Sequence, residues 1–189
     1  MNSLVYVETG FCHGRTVLTD VGFEAPYKLM SPFYEEDTMQ LMQMCASAGI
    51  FGGDQMELSL QIGDGSDLSY LTQSYEKIFP SKDEKTAEKK VRIELGDEVS
   101  FIYAPHPVIP FAGSFYHCDT EVRMKESSSL WYYDIVACGR VGMQELFQMK
   151  QYRSELRIYV EDDLVFYDNM GIFPDRIYYP GLGLWSGYT

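Results

Sequence analysis

Met56-Glu57-Leu58-Ser59-Leu60-Gln61-Ile62 carries an apolar side chain at every second position, the period that sets one face of a β-strand on a core and the other in water. Gly63-Asp64-Gly65 follows with residues that tolerate left-handed backbone, and a second strand then runs from Leu68 to Thr72. The unit returns as Val91 to Leu95, a Gly96-Asp97 turn, and Val99 to Tyr103. It returns again as Glu121 to Met124, Ser127-Ser128-Ser129, and Leu130 to Tyr133. A further copy is Leu156 to Val160, Glu161-Asp162-Asp163, and Leu164 to Tyr167. Copies at intervals of roughly thirty residues predict stacked β-hairpins in a helicoid, solenoid-like β architecture, each hairpin burying its face on the next. Helical signals are confined to Thr38–Cys45 and Gly142–Lys150, so at most two short helices are expected. Pro105, Pro107 and Pro110 remove backbone donors and mark a bend or an edge segment.

Composition agrees. Fifteen Tyr and eleven Phe favour half-buried pleated strands. A chain of 189 residues is long enough for one sizeable core, and a single domain over 1–189 is expected. The formal net charge of -13 gives a field that repels phosphate backbones, so nucleic acid is not an expected partner. Lys82 to Arg92 is the one stretch dense in basic residues, and its intermixed Asp83, Glu84 and Glu88 make it read as a solvated loop. No apolar run reaches the ~18 residues that span a bilayer, and Cys12, Cys45, Cys118 and Cys138 form no CxxC pair. A cytoplasmic protein without a membrane partner is the expectation.

No catalytic signature is present: GxSxG, HExxH, GxxxxGK[ST] and a helix-opening GxGxxG are all missing. Gly49-Ile50-Phe51-Gly52-Gly53-Asp54 precedes a strand and has no Lys for a phosphate, so it reads as a tight turn. Cys12-His13 and His117-Cys118 pair soft ligands in sequence, but strand neighbours point to opposite faces, which makes each a poor chelate and favours an incidental reading. Asp134 and Asp168 are more suggestive, since they occupy equivalent places at the ends of successive units. A stacked fold could align them along one interior line, where a buried charge is costly and kept for a purpose. Both could equally be turn residues that end their strands.

Several stretches together resemble the UreD (UreH) family of urease accessory proteins. Pro26-Tyr27-Lys28-Leu29 with Ser31-Pro32-Phe33-Tyr34 looks like its opening segment, and Gly49 to Asp54 with Gln55-Met56-Glu57-Leu58 is similar to its glycine-rich strand entry. Leu71-Thr72-Gln73, Lys77-Ile78-Phe79, Ala104 to Gly113, and Cys138-Gly139-Arg140 with Gly142 to Phe147 resemble later elements, in matching order across essentially the whole chain. The resemblance implies a non-enzymatic scaffold for urease maturation. It would bind the accessory proteins UreF and UreG, dock on apo-urease, and pass nickel through an internal polar channel, with a dimeric arrangement in that complex as one option. No cofactor would be tightly bound, and Ni(II) would be held transiently.

Carried over by position, Asp54, Asp134 and Asp168 become channel-lining candidates, and Glu76 joins them although a small polar residue is commoner at its place. The chain departs from the family pattern in a charged, insertion-like stretch at Lys82–Lys90. It also ends, at Gly181 to Thr189, on a segment that resembles a point well inside the pattern, so the family's C-terminal part is expected to be missing. Two other readings compete. A β-helix carbohydrate-active enzyme would use Asp134 and Asp168 as a carboxylate pair, and a purely structural β module would use them as turns.

Overall fold

In the computed structural model, which describes residues 1–179, the chain is almost entirely β. Its first strands are β1 (Asn2–Cys12), β2 (Arg15–Phe23), β3 (Tyr27–Leu29), β4 (Phe33–Glu35), β5 (Thr38–Cys45), β6 (Gln55–Ile62), β7 (Asp67–Thr72) and β8 (Glu76–Ile78). They are followed by β9 (Ala87–Leu95), β10 (Ser100–Ala104), β11 (Val108–Pro110), β12 (Phe115–Met124), β13 (Ser129–Tyr132), β14 (Gln151–Val160) and β15 (Asp163–Ile172). A single 3-10 turn at Val141–Met143 is the helical content of the described residues.

Three walls enclose the interior. The first is a seven-stranded sheet in the order β15-β14-β12-β9-β6-β1-β2, whose five middle strands run parallel. The second holds β13-β10-β7-β5-β3, with β4 also on β5. The third is the parallel pair β8 and β11, prolonged by single bridges from Ile50 to Ile78 and from Val108 to Val136. Each turn of the chain visits the walls in succession, as in β6-β7-β8 and β9-β10-β11.

The mainly β helicoid class follows the sequence repeat, but the expected hairpin inside three of the four units is corrected by the pairing. β6 and β7, β9 and β10, and β12 and β13 lie in different sheets. Each pairs with its counterpart one turn along, such as Leu58 with Val91 and Leu68 with Phe101. An alternating strand can bury its apolar face across a corner as well as beside a hairpin partner, and here the two strands face each other through the interior. Only Glu161-Asp162-Asp163 is a true hairpin turn among the four, joining β14 to β15.

The corners explain their Gly and Asp. A Cβ on Gly63 would stand 2.4 Å from the Thr9 carbonyl oxygen of the preceding turn, and one on Gly96 would stand 2.2 Å from Asp64 Oδ1. Asp64 Oδ1 accepts from the Asp97 amide at 2.8 Å, and Asp97 Oδ1 accepts from Ser127 Oγ at 3.0 Å. Turn residues therefore bond corner to corner along the stack.

Two local expectations are also corrected. Thr38–Cys45 is strand β5, because Met39 and Leu41 are buried at period two with Gln43 beyond them. Lys82–Arg92 is a loop only in its first part, since Ala87–Leu95 is strand β9, whose inward positions Ala87, Lys89, Val91, Ile93 and Leu95 alternate with outward ones. The Gly181–Thr189 stretch lies outside the described residues.

Candidate polar interior site

The interior has two ends. Along the first wall, register aligns Val7, Leu60, Ile93, Val122 and Ile158, an aliphatic ladder. Four residues earlier on each strand the ladder reads Ser3, Met56, Lys89, Cys118 and Ser154. On the second wall Tyr70, Tyr103 and Tyr132 stack with ring centroids 5.8 and 5.1 Å apart, and beside the ladder on its own wall Tyr116 stacks on Tyr152 at 5.6 Å. Polar groups on apolar frames thus fill this end.

Lys89 and Glu76 are its charged centre. Lys89 Nζ lies 2.9 Å from Glu76 Oε1 and 3.1 Å from Oε2, and Tyr116 donates its hydroxyl to Oε2 at 3.1 Å. Their side chains are only 11% and 17% exposed. Burial is the largest influence on the Lys89 ammonium and pulls its pKa down, but the Glu76 carboxylate, together with Tyr103, Tyr27 and Cys118 around it, outweighs burial and holds Lys89 above its ordinary range. Burial in turn pushes the Cys118 thiol up to about 11, which keeps it protonated and a weak ligand.

Asp134 follows β13 at the mouth of the same recess, which Glu76, Lys89, Tyr116 and Cys118 line further in. Although the residue reaches solvent, its carboxyl is crowded by protein. Desolvation raises it above the usual carboxylate range, against the Ser154 hydroxyl that donates to Oδ2 at 3.0 Å and against the field of Lys89. Asp168 sits opposite Leu156 on β15 and so shares its inward face, but it is exposed on the edge strand, and its charge reaches Asp134. A second recess, lined by Tyr27, Gln43, Cys45, Thr72 and Glu76, shares Thr72 and Glu76 with the first.

Asp54 is placed elsewhere. Its Oδ1 holds the amino group of Met1 at 2.9 Å and its Oδ2 accepts from the Phe51 amide at 2.9 Å, closing the glycine-rich turn. It lines neither recess. Of the three further candidates, Glu76 and Asp134 line one recess and Asp168, exposed on β15, lines neither.

The histidines divide. His117 faces outward towards Glu155 at 3.7 Å while Cys118 faces inward, as alternation requires. Cys12 Sγ and His13 Nδ1 instead converge to 3.0 Å, because His13 stands at φ 52° in the β1–β2 turn and is not in a strand. Among the described residues no group of three or more His, Cys, Asp or Glu is arranged to hold a metal ion. Sequence reasoning missed Lys89, Tyr116 and Ser154. The signal for Lys89 was available, since the alternation of β9 extends backwards from Val91 to reach it.

Fold and interior together define a class: a short three-walled β-solenoid with an acid-bearing polar seam through one end of its core. The model of the UreD urease accessory protein family matches residues 3–188. The urease accessory protein UreD of Acetivibrio thermocellus is 38% identical over 189 residues, covering 99% of this chain and 72% of that protein. UreH of Helicobacter hepaticus is 33% identical over 94% of this chain and 70% of its own length, and UreD of Lysinibacillus sphaericus is 33% identical over 90% and 65%. The chain belongs to the UreD family of urease accessory proteins.

Proposed function

We propose that this chain serves urease maturation as a non-enzymatic scaffold that binds UreF, UreG and apo-urease, and that Ni(II) passes through its polar interior along Glu76, Asp134 and Asp168. The carrying observation is that Glu76 and Asp134 line one recess at the polar end of the interior. Hard carboxylate oxygens at separated stations hold Ni(II) loosely enough to release it, whereas a closed thiolate site would trap it. The high pKa of Cys118 keeps a thiolate out of that path. The four cysteines are unpaired, which fits a reducing cytoplasm as the place of action.

The test is co-expression with a urease operon that lacks its own copy of this gene, scoring nickel content and urease activity. The wild-type chain is expected to restore both. Asp134→Ala is expected to fold, to co-purify with the same partners, and to leave urease nickel-poor by tenfold or more. Full nickel loading by Asp134→Ala would remove the conduit and leave the scaffold.

A further inference from the structure

The first two walls turn outward faces to their surroundings by the same alternation, and the two faces differ in charge. On the first wall one outward row reads Glu57, Lys90, Asp119 and Glu155, and the row beside it Arg92, Glu121 and Arg157. These charges satisfy one another: Arg92 Nη2 lies 2.7 Å from Asp119 Oδ2, and Arg157 bonds Asp119 Oδ1. Such a face suits water.

On the second wall two neighbouring outward rows carry no charge. One reads Phe33, Gln40, Ser69, Ile102 and Trp131, and the next Met30, Met42, Leu71, Ala104 and Tyr133. The inward alternates of these strands, among them Leu41, Tyr70 and Tyr103, already supply the core. Met30, Phe33, Trp131 and Tyr133 are exposed, Trp131 by 61%. Trp, Tyr and Met are enriched where proteins bury surface on each other, and a strip of them left in water forgoes that burial.

The strip has an acidic border. β5, β7, β10 and β13 run parallel, and the segments leading into them carry Glu36 and Asp37, Asp64, Asp97 and Glu98, and Glu126, all exposed. Lys125 is the one cation in these segments, and Glu161 pairs with it at 2.9 Å. Bonds from the Asp97 amide to Asp64 and from Ser127 to Asp97 stack the corners, which sets the acids along one side of the strip.

We propose that the outward face of the second wall is the docking surface for a protein partner whose contact patch is an apolar strip flanked by Lys and Arg. Burial of Met30, Trp131 and Tyr133 supplies affinity, while the acidic corners draw the partner in and set its orientation. A second copy of the chain fits less well, since it brings the same acidic corners and the same formal net charge of -13. A nucleic acid or an anionic membrane meets the corners with like charge. That the partner belongs to the urease maturation complex rests on the scaffold reading above; the charge-free strip and its border do not.

The experiment co-expresses the tagged full chain with a urease operon lacking its own copy of this gene and measures how much UreF, UreG and urease co-purify. Trp131→Glu and Met30→Glu, at opposite ends of the strip, are each expected to lower recovery by about tenfold or more, although each adds charge that attracts a basic border. Either suffices if the other fails to fold. Gln61→Glu puts the same charge on the outward face of the first wall and should change nothing. Glu98→Lys with Glu126→Lys should lower recovery, and added salt should weaken the wild-type complex. Undiminished recovery in folded Trp131→Glu and Met30→Glu, an equal loss in Gln61→Glu, or recovery undiminished by the two lysines overturns the proposal. A dimer of the isolated chain in sedimentation that Trp131→Glu abolishes also overturns it, by making a second copy the occupant. Should the wild type recover none of the three proteins, the scaffold reading falls and a synthetic amphipathic peptide of Leu and Lys decides the surface alone. Calorimetry must then show that peptide bound about tenfold more tightly by the wild type than by Trp131→Glu, and equal binding overturns the docking surface.

Discussion

The two ends of the interior are built on the same strands and differ by four residues of register. At one end Val7, Leu60, Ile93 and Val122 are at most 1% exposed and belong to the hydrophobic core. At the other end the same walls enclose an ammonium, a carboxylate and a column of tyrosines. The difference separates what holds the coil together from what it can carry. Aliphatic rungs gain from burial without condition, whereas the polar end is stable only while every charge keeps its partner.

The sharpest way to break the comparison is to remove one partner. Glu76→Ala leaves the Lys89 ammonium buried beside tyrosine hydroxyls and a neutral thiol, and losses of about 3–5 kcal/mol are typical of such uncompensated charges. Urea denaturation should show that loss in the midpoint. The double variant Glu76→Leu with Lys89→Met should recover most of it, since replacing both members of a buried pair with apolar groups is close to neutral. If the double variant is as unstable as the single one, the loss comes from packing around the two side chains and not from the uncompensated charge.

At the aliphatic end the loss should be comparable in size but different in kind. Leu60→Ala opens a cavity in a fully buried rung, at a cost of about 2–5 kcal/mol. Urease activation per folded chain should then be unchanged. A nickel-loading defect in folded Leu60→Ala would show that the two ends are coupled.

These two ends were not equally legible in the sequence. Alternation is a local property, so β6, β9, β12 and β14 could be placed from Leu58, Ile93, Val122 and Ile158 and their neighbours alone. Pairing partners are not local: Gly63 to Gly65 and Gly96-Asp97 suit a hairpin turn or a solenoid corner equally, and only contact with the previous turn, as at Gly63 against Thr9, decides between them. Asp134 could be named from the family pattern, and Glu76 as an acid where that pattern more commonly has a small polar residue, but nothing in either says that Lys89 and Ser154 are the groups they meet. Lys89 was hidden by its company, since Lys82, Lys85 and Lys90 around it do face solvent. Asp54 resembles the other acids in sequence, yet its two oxygens are taken by Met1 and Phe51, a bond pattern that only the folded turn creates.

Asp134 sharpens the comparison through pH. Its folded-state carboxyl titrates above the ordinary Asp value of about 3.9, chiefly through desolvation. In the window from that value up to its raised one, the folded chain holds a proton that the unfolded chain has released. Stability contributed by this group therefore falls as pH rises through the window and is lowest above it. Asp134→Asn should remove that decline in melting temperature as pH rises above the ordinary Asp value, with the Ser154 contact still available to the amide oxygen. A melting profile identical in slope to the wild type would show that Asp134 is solvated as fully as its exposure suggests.

The smallest effect is expected on the outer surface, and it isolates environment from geometry. Lys125 Nζ meets Glu161 Oε2 at 2.9 Å, the same separation as Lys89 and Glu76, but its side chains are 47% and 51% exposed. Water and salt screen such a pair, and holding two long side chains costs entropy that offsets the attraction. Lys125→Ala should leave the denaturation midpoint unchanged at physiological ionic strength, and adding salt should not distinguish it from the wild type. Glu76→Ala should keep most of its deficit at high salt, because burial shields Lys89 from the counter-ion atmosphere far more than Lys125 is shielded. Were the two substitutions equally costly, or equally relieved by salt, the polar end would have to be wet throughout, and burial could not be what sets Lys89 apart.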